Sequence, residues 1–330
     1  MTTTTVKKAR WSAHSLYKRI KDRMLTERTR LEASLSAIRL VNQVEIESLL
    51  TTDLVFYAGI VGDLELCARV YAWEGLIGLM DGDENTLNYL YQATCYEVAA
   101  HRLLFAFYLY PSKTVVNQTS FNNFALALAR AVAIGCWQEA EELAKILGAG
   151  LSNTRIYRDE RDPTYEYKHS YFAGTNATCV APFILQLYSQ ARGTQFPLDH
   201  LDFNPLASME AYEPLLRLWQ TKDMDALQQV LLPACDLHLH RSKPLTKSTN
   251  PEFWDLTDML YPAEILMLLR LREKAGLITP TFDHPLLNTP AGRLYPVRSV
   301  PHDSDLDRAL DNGLRAVAFI RSIEEHEKGR

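Results

Sequence analysis

The chain has 330 residues, 47% hydrophobic and 23% charged, which is enough apolar material for a sizeable core and excludes both a disordered chain and a mini-protein that needs staples. Its net charge of −5 is unevenly placed: the first forty residues carry ten cations against Asp22, Glu27 and Glu32, about +7, and leave about −12 on the remainder. The N-terminus MTTTTVKKARW has no apolar signal core, and no stretch approaches the roughly 18 apolar residues of a membrane span, so a cytoplasmic protein is expected.

Helical periodicity runs from Trp11 to about Leu50 as a basic N-terminal segment, residues 1–50, whose cations are read as a solvated face pairing with the acidic body. It has no groove-reading motif, and no nucleic-acid partner is expected. Asp53 is placed as the cap of a short helix to Ile60, with Gly62 ending it and Asp63 capping the next, Leu64 to about Met80. The break DGDEN, 81–85, resembles a calcium loop but has Thr86 and Gln92 where a glycine and a bidentate glutamate would be needed, which rejects that reading.

Leu87–Tyr110 reads as a long helix, and Phe121–Ile134 with Trp137–Leu147 as a pair around Gly135. Residues 148–168 read as a charged loop with interleaved Tyr157, Tyr165 and Tyr167. Helices are expected at Thr178–Ala191, Ala211–Gln220 and Asp225–His240, then an apolar helix from Tyr261 with Pro262 in its first turn and Gly276 as its stop. TPTFDHPLLNTPAGRLYP reads as a proline-rich coil. The final amphipathic helix, 303–325, is expected to dock on the body, 51–295, or on a second copy as a homodimer. The fold class is all-α, stacked helical hairpins in an irregular repeat-like bundle; any sheet takes fewer than about a tenth of the residues.

The five cysteines are odd in number and far apart, which fits reduced core thiols. No phosphate loop, dinucleotide fingerprint, nucleophile elbow, H-E-x-x-H or paired C-x-x-C occurs, and no cofactor is expected. The densest reactive group is Asp236, His238 and His240, read mainly as a helix terminus with its charges paired, and alternatively as the metal site of a hydrolase.

ALALARAVAIGCWQEAEELAKIL, DALQQVLLPACDLHLHRSKP and LYPAEILMLLRLREKAGLITPTFDHPLL together resemble the all-α immunity proteins of bacterial polymorphic toxin systems, in particular immunity protein 49, with the immunity proteins of PoNe-type DNase toxins as a related possibility. SKPL and a later Trp254 stand where that family often has an aromatic pair. The resemblance implies a non-enzymatic protein that binds a cognate toxin, such as a type VI secretion or Rhs-type effector, and occludes its active site. A helical-repeat interaction scaffold is the rival reading. The expected contact residues are Asp81, Asp83 and Glu84, with Tyr157, Asp159, Glu160, Asp162, Tyr165 and Glu166, because exposed charged segments with tyrosines suit anchoring.

Overall fold

The segment FNNFALALARAVAI has no wet side: of its fourteen residues only Asn123 and Arg130 are not buried. It forms α4 (Phe121–Ile134), started by the Ser120 hydroxyl, which accepts from the Asn123 amide, and ended by Gly135 in the left-handed region at φ 85°. A second such helix, α10 (Ala263–Lys274), is buried continuously from Ala263 to Arg272. Helices without a polar face must sit inside, and these two pack on each other.

Around them lie the other nine α-helices of the described residues, which are 11–44, 54–109, 119–152, 154–158, 166–170, 172–173, 179–198, 209–246, 251–299 and 303–328 of a computed structural model. They are α1 (Ala13–Val41), α2 (Leu54–Met80), α3 (Leu87–Leu109), α5 (Trp137–Ser152), α6 (Val180–Arg192), α7 (Glu213–Leu218), α8 (Met224–Arg241), α9 (Leu256–Leu260) and α11 (Ser304–Lys328). The protein is an all-α bundle. Paired helices dominate it: α2 lies along α3, α4 against α5, and α7 against α8.

The basic helix α1 buries Leu16, Ile20, Met24, Leu31, Ile38 and Val41 on α2, α9 and α11, and turns most of its cations outward. Two of them reach the acidic body, Lys21 to Asp81 at 3.2 Å and Arg28 to Glu74 at 3.6 Å. Such exposed pairs contribute little; the apolar stripe holds the helix. The last helix, α11, docks on α1, α2 and α3, and Asn312 Nδ2 donates to the Val41 carbonyl at 3.3 Å.

Three expectations are corrected. No helix ends at Gly62: α2 runs unbroken, because Gly62 is exposed in open space and Asp63, instead of capping, accepts from the Ser34 hydroxyl of α1 at 2.5 Å. Pro262 does not lie inside the apolar helix but caps it, separating the short α9 from α10. The charged run after α5 contains a β-ladder, β2 (Thr154–Arg158) antiparallel to β3 (Glu166–Ser170), and β1 (Thr119–Ser120) pairs in parallel with β4 (Phe172–Ala173). A β-strand needs a partner, and TRIYR acquires one only through its register with EYKHS.

The proline-rich coil is a built loop. Leu286, Leu287 and Ala291 are buried, His284 Nδ1 accepts from the Leu286 amide at 3.2 Å, and the Thr289 hydroxyl accepts from the Gly292 amide at 2.9 Å. A Cβ at Gly292 would stand 2.1 Å from the Leu286 carbonyl oxygen and 2.9 Å from Leu287 Cα, both backbone atoms. Gly292→Ala is therefore expected to lower unfolding free energy by about 1–3 kcal/mol in urea. In contrast, Gly148→Ala, inside α5 with nothing within 4 Å, is expected to raise it by about 0.5–1 kcal/mol.

Candidate functional site

A lone arginine in the apolar run of α4 cannot be buried uncompensated. Arg130 is answered from two other helices: Glu97 of α3 takes its Nη2 at 2.5 Å and its Nε at 3.3 Å, and Asp258 of α9 takes Nη1. These groups line a cleft of about 290 Å³ between α2, α3, α4 and α9. Its walls are narrow side chains, among them Ala68, Ala72, Ala93 and Ala100. Glu65 and Arg69 of α2 and Asp255, the N-cap of α9, add charge to the lining, and the exposed Trp254 stands beside them.

The spacing of these residues follows from helix geometry. Glu97 and His101 are four apart on α3, as are Glu65 and Arg69 on α2, so each pair shares a face. Asp255 and Asp258 bracket the first turn of α9, where the Asp255 carboxylate accepts from the Thr257 amide at 2.8 Å. His101 is 6% exposed; its ring lies on Phe124 at 4.0 Å between centroids, and its Nδ1 has no partner.

Burial pushes Asp258 up to about 7, against the opposing pull of Arg130. It pushes His101 down to about 4, so the imidazole is neutral at pH 7. Burial also disfavours the charged form of Arg130, yet Glu97 and Asp258 outweigh it and hold the guanidinium charged. Crowding by the cleft walls raises Glu65, with Arg69 opposing.

Asp81, Asp83 and Glu84 do not line this cleft. Asp81 accepts from the Tyr17 hydroxyl and from Lys21, Asp83 caps the short 3₁₀ turn Glu84–Thr86 through the Asn85 amide at 3.0 Å, and Glu84 lies 3.9 Å from Arg298. Tyr157 is in β2 opposite Tyr167, and Glu166 is in β3 opposite Arg158. Asp159, Glu160, Asp162 and Tyr165 lie outside the described residues.

Asp236, His238 and His240 do not converge. His238 is fully buried, its Nδ1 2.8 Å from Glu264 of α10, whose carboxylate also accepts from the Tyr212 hydroxyl at 3.2 Å. Asp236 is exposed and lies 3.4 Å from His284, and His240 faces outward. Among the described residues no three His, Cys, Asp or Glu side chains stand together as a metal site, and no helix is long and apolar enough to cross a membrane. All five cysteines are free. No family model, curated protein or solved structure matches the chain.

The sequence did carry a signal for the cleft that its motifs did not: Arg130 in FALALARAVAI and His101 in EVAAHRLLFAF are polar groups inside apolar helices. The two shifted groups give opposite pH slopes. His101 has a folded pKa below its ordinary 6.5, so its contribution to stability is lost as pH falls from about 6.5 toward 4. Asp258 has a folded pKa above its ordinary 3.8, so its contribution is full below that value and is lost as pH rises through about 7. His101→Leu is thus expected to gain stability relative to the parent as pH drops from 6.5 to 4, by at most about 3 kcal/mol, read as urea midpoints across that range.

Proposed function

We propose that the protein acts by binding another protein: it is an immunity protein that neutralises a cognate toxin inside the producing cell, with the cleft at the centre of the contact. The observation that carries this reading is the cleft's charge. Four carboxylates, Glu65, Glu97, Asp255 and Asp258, face two guanidinium groups, Arg69 and Arg130, in a body that bears about −12 outside the first forty residues. Such a surface draws in a basic partner and speeds encounter. Trp254, 37% exposed beside the cleft, is the kind of wide, stiff aromatic that anchors a protein interface.

A catalytic reading has one feature in its favour: Asp258, pushed by burial up to about 7, and a neutral imidazole line the same cleft, and acid–base groups are commonly tuned in this way. The two readings part on stoichiometry. A protein that neutralises by binding does so one to one, whereas a catalytic one works at a small fraction of the toxin's concentration.

The direct test is co-purification with the product of the adjacent gene and rescue of growth when that product is expressed. Rescue is expected, with Glu65→Lys and Trp254→Ala each weakening the complex at least tenfold, or about 1.4 kcal/mol. Absence of both capture and rescue sinks the reading.

A further inference from the structure

The cleft's own hydrogen-bond and charge balance is incomplete, and the missing part has a definite chemistry. Arg130 is engaged by Glu97 and Asp258 through Nε and both terminal nitrogens, one bond from each. That leaves Glu65, Asp255 and the cation Arg69, none of which is in an ion pair among the described residues, with Arg69 opposing Glu65 from one helical turn away. His101, 94% buried, lines the cavity: its Nδ1 is sealed off without a partner, and Nε2, the ring nitrogen that keeps accessible surface, makes no hydrogen bond either. A ring nitrogen without a partner at a cavity wall is a place where a ligand's polar group can be met.

We propose that the cleft receives an alkylguanidinium or alkylammonium group, the head of an Arg or Lys side chain of the protein partner, between Glu65, Asp255 and His101. This rests on the binding reading above and names the chemistry its central contact uses. The cavity of about 290 Å³, faced in part by alanines, lies at the small end of ligand sites and has room for a side-chain head with its methylene stem. The two carboxylates without an ion-pair partner outnumber the one such guanidinium, Arg69, and so favour a cation over an anion. The uncharged imidazole offers a lone pair to an N–H donor without adding a like charge.

The test uses the full-length protein and two free probes, agmatine and n-pentylamine, with valerate as the anionic counterpart, followed by calorimetry and by Trp254 fluorescence. Agmatine is expected to bind saturably with a Kd of about 1 mM, as suits a ligand of this size, and valerate not at all. The double variant Glu65→Gln/Asp255→Asn removes both charges, yet Asn keeps the cap on α9. It is expected to melt like the parent and to bind agmatine at least fivefold more weakly. His101→Leu, which replaces an unpartnered ring, is expected to weaken agmatine in the same way while retaining the fold.

No saturable binding of either amine overturns the inference; so does equal binding by the double variant, or equal binding of valerate. Its failure is distinguishable from that of the immunity reading. If the adjacent gene product is captured while the amines do not bind, the cleft inference falls alone. If agmatine binds but no partner is captured and no rescue is seen, the immunity reading falls and the cleft stands as a cation site.

Discussion

The contact between α4 and α10 is the constraint that everything else accommodates. Both helices are buried around almost their whole circumference, so neither can lie at the surface, and the remaining helices must close around them. The alanines of α4, all at most 2% exposed, keep that helix slim enough for close approach. The charges that α10 carries into this interior are tied to carbonyls. Arg270 donates to the Ala133 carbonyl at 3.0 Å and to that of Tyr295, and Arg272 to those of Thr221 at 3.0 Å, Ile278 at 2.8 Å and Trp219. Two guanidinium groups thus fasten the irregular segments before and after α10 to the centre, since a buried cation draws acceptors to most of its donors; only Nε of Arg272 is left without one.

The cleft obeys the same rule with a different outcome. Arg130 leaves the α4 core on its one polar side and finds carboxylates on α3 and α9, which fixes the distance between those helices. Small residues on the facing sides of α2 and α3 then leave space above the ion pairs instead of filling it. A buried charge network beside an open cavity is a poor way to gain stability, since well-packed apolar residues of the same volume do at least as well. In the proposed binding function the cost of burying charge is offset by a partner that completes the network.

The group His238, Glu264 and Tyr212 shows the other use of buried polarity. It joins α8, α10 and the turn before α7, and the ring of His238 rests on Phe253 at 4.1 Å. In sequence, Asp236, His238 and His240 stand together; in space, the helical rotation of about 100° per residue sends them to different neighbours. The coil DHPLLNTPAG likewise reads as punctuation but folds into a buried loop, since its order comes from side chain to backbone bonds such as Thr289 to Gly292.

By itself the sequence determined the all-α class, the positions of α3, α4, α5, α6 and α8 to within a few residues, the left-handed stop at Gly135, and the central place of the apolar helix ending at Gly276. These are local properties, set by periodicity, caps and glycine, and local properties are readable along a chain. Only the tertiary structure decided that α2 runs through Gly62, that TRIYR pairs as a strand, and that Glu65, Glu97, His101, Arg130, Asp255 and Asp258 share one cleft. Those residues come from four helices separated by up to 193 positions in the chain, and their meeting depends on packing geometry that no spacing rule encodes.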